Sequence, residues 1–429
     1  MTDKLRPMPP VKAALLVFLL GLALHITYFA LDGISIANDT KKYVLPAESL
    51  IAGHGYARDG QPETERTPGY PLMLAALRAA GLDLRKIALL QHVLSAATAA
   101  ALVLIARWMT GNDFIAISSG VVMAIDLPTI YHANLILTET LCTLLGLALF
   151  ALIWRIAHGR GHAAVAGLLL GAITLVRPVA MLFFIPLALY LAWMRRNEAR
   201  RIVPIFVICS LLFPGAWLYR NYRVSGVPTL STNGAVLLLY FHAAGALAID
   251  DPGDFDTNLE RRQKELRIAA DARARSELGI VDVRRITYVR RAASDSRLGR
   301  EIVLAHPFAF TKLFLRGVAI NFLGGSAEAL TRITVLSRST ANRLLLAYTS
   351  VALILAIIGQ LWLLRTNRPL GVLILITIGY FIAFTAGALA YSRFRVPVVP
   401  TYAIAIASGV HALRERWFRR ASAHSSRSE

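Results

Sequence analysis

Six long apolar blocks constrain this chain more than any other feature: Val11–Leu31, Leu89–Ala106, Leu135–Ile153, Ala163–Val176, Leu344–Leu364 and Leu370–Leu389. A helix rises about 1.5 Å per residue, so a block near twenty residues matches a hydrocarbon slab about 30 Å thick. Inside such a slab there is no water for the backbone, and a helix satisfies its peptide groups internally. Charged residues make up 17% of the 429 and hydrophobic ones 56%, whereas a soluble domain carries about 25% charged residues. A disordered chain and a single soluble core are both excluded. The chain reads as an all-α polytopic membrane protein.

Ten spanning helices are expected, at about 12–31, 87–107, 113–127, 134–156, 162–176, 178–194, 202–219, 341–364, 369–389 and 397–414. The first follows Lys4, Arg6 and Lys12 and shows no small-residue cleavage pattern, so it is expected to be retained. Three segments result: 1–219 with the first long loop (32–86), a loop region at 220–340, and 341–429 with a basic tail. The first loop should hold two short helices around the turn Gly53-His54-Gly55-Tyr56, with Pro46 kinking or restarting the first. In the second, Asn258–Ile302 is charged and helical in composition, as a soluble lid or amphipathic pair would be. Ala235–Ile249 and Pro307–Leu323 are apolar but short or interrupted by Lys312 and Arg316, which suits interfacial helices. If both spanned, there would be twelve spans and 250–301 would be cytoplasmic. Cys142 and Cys209 sit in apolar surroundings and are expected as free thiols.

The formal charge of +20 is unevenly placed. With a cytoplasmic amino terminus, the inner segments hold 17 Lys and Arg. The loop 32–86 has seven basic and seven acidic residues, and 250–301 has twelve and eleven. This is the positive-inside pattern, and it argues for anionic lipid around the carboxyl tail rather than for nucleic acid. Both termini are expected in the cytoplasm and both long loops outside.

Several polar residues stand out against this background. Asp39, Tyr43, Ala47 and Leu50 share one helix face just after the first block. A carboxylate there is placed to accept a proton from a hydroxyl, or to favour a helix start through its dipole. In Arg66-Thr67-Pro68-Gly69-Tyr70-Pro71, two prolines and a glycine fix a turn that would hold Arg66 for phosphate or leave it solvated. Glu139, beside Thr138, lies near the outer end of the expected span 134–156; an ionisable residue within a span is costly and ordinarily serves a site. Asp126 and His132 are expected near water. Arg177, Arg220, Arg223, Arg393 and Arg395 fall on the membrane face that bears Asp39. Each could snorkel, and together they could hold a lipid-linked phosphate. There is no phosphate-cradling P-loop, no His-Glu-x-x-His and no Gly-x-Ser-x-Gly, and the inner loops are too short to bind a nucleotide donor.

These motifs resemble the GT-C membrane glycosyltransferases, in the branch of the protein O-mannosyltransferases and the aminoarabinose transferase of lipid A. The likeness rests on Asp39 to Tyr56, Arg66 to Pro71, Leu137-Thr138-Glu139-Thr140, Leu175-Val176-Arg177-Pro178, Arg220-Asn221-Tyr222-Arg223 and Tyr391-Ser392-Arg393-Phe394. It implies a GT-C-like bundle in a bacterial plasma membrane. It implies inverting transfer from a polyprenyl-phosphate sugar to an envelope lipid or glycan on the extracytoplasmic side. Asp39 would then be base or orienter, and Arg66, Arg220, Arg393 and Arg177 would bind donor phosphate. Glu139, Tyr43, Tyr56, His54 and Tyr70 would line the sugar or acceptor pocket. Asp39 stands alone where protein mannosyltransferases carry an acidic pair, which turns the expected acceptor away from protein. No cofactor is expected, though Asp39 and Glu139 leave a divalent cation open. The alternative is a lipid-linked sugar flippase or transporter, which needs polar residues through to the inner side; no internal repeat of the kind such carriers use is visible.

Overall fold

The structure is a computed structural model and describes residues 9–279 and 287–425. Lys4, Arg6, Arg427 and part of 250–301 lie outside the described residues. Nearly everything described is helical. Among the described residues, seven helices are long and apolar enough to cross a membrane: α1 (Pro10–Asp32), α4 (Leu84–Thr110), α7 (Glu139–Ala157), α10 (Ala199–Ser225), α17 (Arg338–Thr366), α18 (Arg368–Thr385), and α19 (Val399–Ser425) with the 3₁₀ turn leading into it. Counting each bent pair as one span makes nine. The chain is therefore an all-α, multi-pass membrane protein.

The expected spans at 162–176 and 178–194 appear as shorter apolar helices. These are α8 (Ala163–Val176) and a 3₁₀ turn running into α9 (Phe184–Met194), with the break at Arg177-Pro178. The expected span 113–127 is a pair, α5 (Asp113–Ala124) and α6 (Leu127–Ala133), bent by 51°. The cause is Asp126, which accepts from the Thr129 amide at 3.0 Å and its hydroxyl at 2.6 Å, starting a new helix. Asp126 and His132 are consequently buried, contrary to the expectation that they lie near water; His132 Nδ1 sits 2.7 Å from the Pro128 carbonyl.

Helix contacts rely on small residues. Gly359 of α17 and Gly409 of α19 meet so closely that a methyl group on either would strike the facing backbone, an arrangement that lets spanning helices approach. The main apolar core runs through α1, α4, α5, α7, α8, α18 and α19. A second cluster, including Tyr28, Tyr43, Tyr70, Leu74, Tyr131 and Leu137, underlies the first loop.

That loop contains α2 (Lys41–Ile51), a two-stranded hairpin (β1, Ala57–Arg58; β2, Gln61–Pro62) and α3 (Gly69–Ala79). α2 continues through Pro46 rather than restarting. Asp59 and Gly60 both take positive φ, as a two-residue hairpin turn requires. The second loop region begins with α11 (Asn233–Leu237), a π-helical turn (Leu238–Ala243) and α12 (Ala244–Ala248). A charged pair follows, α13 (Phe255–Leu278) and α14 (Tyr288–Ala305), as the composition led one to expect. The pair is held by Arg291–Asp271, Arg273–Glu301 and Arg297–Glu277 and packs on residues 239–248. The region ends in α15 (Pro307–Leu323) and α16 (Ala327–Ile333), bent by 99° from α14.

Candidate functional site

Five chain segments converge at the loop-rich end of the bundle. The turn before α2 carries Asp39, the turn before α3 carries Arg66, and the start of α7 carries Glu139. The end of α8 carries Arg177, and the 3₁₀ turn before α19 carries Arg393. Gly69 sets their spacing. A Cβ there would lie 2.7 Å from the Leu175 carbonyl and 2.8 Å from the Val176 nitrogen, so only glycine lets α3 dock against the end of α8. The docking brings the Arg66 turn beside Arg177-Pro178.

The charges alternate along a continuous chain. Arg66 Nη2 donates to Asp39 Oδ1 at 2.7 Å, and Arg393 Nη1 donates to Asp39 Oδ2 at 3.3 Å. Arg393 Nε also donates to Glu139 Oε1, which Arg177 Nη1 reaches at 3.2 Å. The Glu139 side chain is 0% exposed. A buried carboxylate must be paired; two guanidiniums do this, and its place in the first turn of α7 adds the favourable end of the helix dipole. Asp39 differs, with a side chain 30% exposed on the cavity rim. Arg66 is further held over the Tyr43 ring at 5.2 Å. Burial raises the Tyr43 and Tyr70 hydroxyls above the ordinary tyrosine range.

Asp39, Arg66, Arg177 and Arg393 line a cavity of about 1040 Å³. Lys42 and Glu65 add to its charged lining, with Tyr43, Thr138 and Tyr391. Apolar side chains line it too, Val179, Val236, Leu237, Phe241, Phe384 and Leu389, together with the polar Asn233, His242 and Thr385. Four cations face two carboxylates, and Glu139 behind them leaves one surplus positive charge. Glu65 is tied to Lys42 at 2.5 Å and Arg58 at 2.7 Å. Burial pushes its carboxyl up, but those two bonds hold it below the usual range. Among the described residues, no three His, Cys, Asp or Glu side chains gather as a metal ligand set.

Not every residue singled out in the sequence reaches this cavity. Asp39, Arg66, Arg177, Arg393 and Tyr43 line it, and Glu139 is bonded directly behind the lining. Arg220 is elsewhere: it donates to the carbonyls of Glu63 at 2.6 Å and Tyr56 at 2.8 Å, stitching α10 to the first loop. Tyr56 is turned toward the Arg66 and Thr67 carbonyls, at 3.0 and 3.2 Å. Tyr70 is fully buried and donates to Gln91 at 2.8 Å, and His54 is exposed on its turn. Arg395 is buried, donating to the Phe322 carbonyl at 2.5 Å. Lys42 and Glu65 were not singled out, although each lies within three residues of Asp39 or Arg66. Asn233 and His242 reach the lining from the second loop; in sequence His242 stands out as the polar residue inside the apolar stretch Ala235–Ile249.

No family model and no curated protein matches this chain. Among solved structures, it is similar to the crystal structure of ArnT from Cupriavidus metallidurans bound to undecaprenyl phosphate. Identity is 12%, the TM-score is 0.41, and the match covers 91% of this chain and 77% of that one.

Proposed function

We propose that this chain is an integral-membrane glycosyltransferase of GT-C type. In this reading it moves a sugar from a polyprenyl-phosphate donor to an envelope lipid or glycan at the extracytoplasmic face of a bacterial plasma membrane. The observation that carries the reading is a cavity whose lining combines arginines around a carboxylate with apolar side chains. A phosphate suits the guanidiniums and an isoprenoid chain the apolar side chains. Residues 1–219 supply most of the charged lining, 220–340 further lining from 229–242, and 341–429 the last helices and Arg393.

The reaction is a single inverting displacement. An acceptor hydroxyl attacks the anomeric carbon opposite the phosphate, its proton passes to Asp39, and the sugar–phosphate bond breaks with its electron pair leaving on polyprenyl phosphate. A phosphodiester carries one negative charge and the released monoester up to two, with a second pKa of about 6. As Asp39 takes the proton, the cluster becomes one unit more positive while the phosphate becomes one unit more negative. Charge complementarity thus grows toward the products, as a site that stabilises the leaving group requires. Arg66, Arg393 and Arg177 bind the phosphate, Glu139 keeps the last two in place, and Arg220 holds the loop.

The test uses membranes supplied with radiolabelled polyprenyl-phosphate sugar. Asp39→Asn should lower transfer by about 10²-fold or more, and Arg66→Ala should raise the donor KM. Normal turnover by well-folded Asp39→Asn would remove the base, and an unchanged donor KM would remove the clamp. Movement of the lipid-linked sugar across vesicles with no bond formed would replace the reading by a transporter.

A further inference from the structure

We propose that Asp39 occupies the phosphate site of the empty enzyme, and that donor binding releases it to act as the base. This rests on the glycosyltransferase reading above. Each Asp39 oxygen already accepts from a guanidinium, Oδ1 from Arg66 and Oδ2 from Arg393, so the carboxylate is held toward the arginines. The same two guanidiniums are the groups a phosphate would engage, because carboxylate and phosphate oxygens match the arginine fork alike.

The two carboxylates of the cluster are not equivalent in this exchange. Glu139 is fully buried and opens a spanning helix, so it stays. Asp39 is partly exposed in a short turn between α1 and α2, so it can yield. Arg393 keeps its Nε bond to Glu139 and Arg66 keeps its seat over Tyr43 while their Nη groups change partner. Arg66 Nε, buried without a partner, adds a further donor. Glu65 Oε1 lies 3.9 Å from Arg66 Nη2 but is held closer by Lys42, and its Oε2 by Arg58. Two arginine–carboxylate bonds break and two arginine–phosphate bonds form, with no proton moved. The released carboxylate then faces the hydroxyl it must deprotonate, which makes the order of addition donor first and acceptor second.

The experiment measures binding of undecaprenyl phosphate to the full chain in nanodiscs, so it needs no knowledge of the acceptor. Asp39→Asn and Asp39→Ala should each bind the probe about tenfold tighter than wild type, about 1.4 kcal/mol. Arg66→Ala should bind at least tenfold weaker. The empty Asp39→Asn protein should melt below wild type yet gain more on adding the probe. If both Asp39 variants bind no tighter than wild type while Arg66→Ala still weakens binding, the exchange is refuted and the glycosyltransferase reading survives. If wild type shows no Arg66-dependent binding, that reading fails first.

Discussion

Replacing Glu139 by Gln keeps the size of the side chain and deletes the charge that two arginines share. Glu139 is 0% exposed, while Arg177 and Arg393 are 11% and 12% exposed, so water repairs little of the loss. Breaking a buried pair by removing one partner costs about 3–5 kcal/mol, and two bonds to a charged group at about 1.5–3 kcal/mol each give about 3–6 kcal/mol. Glutamine retains an acceptor oxygen, so a loss of about 2–4 kcal/mol is expected. The assay is thermal unfolding of the purified protein, with midpoints compared across Glu139→Gln, Arg177→Gln and the double variant. Because all three groups belong to one network, the double variant should cost less than the sum of the singles by about 1–3 kcal/mol. Additive losses, or a Glu139→Gln midpoint equal to wild type, would refute the claim that Glu139 is the hub of the cluster.

Gly69→Ala should lower transfer at least about tenfold with little change in total helix content, because the added methyl meets the Leu175–Val176 backbone 2.7–2.8 Å away and overpacking costs about 1–3 kcal/mol; circular dichroism beside the transfer assay checks this, and unchanged activity would mean the two turns need no such approach. In the α13–α14 pair, hydrogen bonds from Arg297 and then Arg273 pull the Glu277 carboxyl down to about 2. A depressed acid stabilises above its unfolded value and loses that contribution as pH falls through the folded one, so pepsin cleavage within 255–305 should accelerate from about pH 4.5 toward 2. Glu277→Gln should flatten that dependence, and a wild-type rate independent of pH would contradict it. His54→Cys, on an exposed turn of the first loop, should react with a membrane-impermeant maleimide on intact cells; reaction only after permeabilisation would put the first loop, with Asp39 and Arg66, in the cytoplasm.

What was legible beforehand follows the range of the interactions. Asp39 and Arg66 stand out in sequence because a carboxylate just after an apolar block and an arginine before Pro68-Gly69 are defined by residues a few positions away. Their partnership was not visible, since 27 positions separate them. Arg220 and Arg393 look alike in sequence, each an arginine at the end of an apolar block. One donates to loop carbonyls and the other bridges two carboxylates, a distinction made by which segment lies opposite. The same holds for Tyr70, read as a pocket residue but buried against Gln91.

Hydropathy settled the class of protein and most of its spans, because transfer of an apolar block into hydrocarbon is additive along the chain and needs no partner. The bend at Asp126 and the break at Arg177-Pro178 also have local causes, though hydropathy alone reads the first as one continuous span and the second as a joint between two. Convergence of Asp39, Arg66, Glu139, Arg177 and Arg393 into one ionic chain is a different kind of fact. It depends on Gly69 admitting the backbone of α8 and on the turn before α19 swinging Arg393 between two carboxylates. Electrostatic pairing falls off over a few ångströms, so only the packed bundle could decide it.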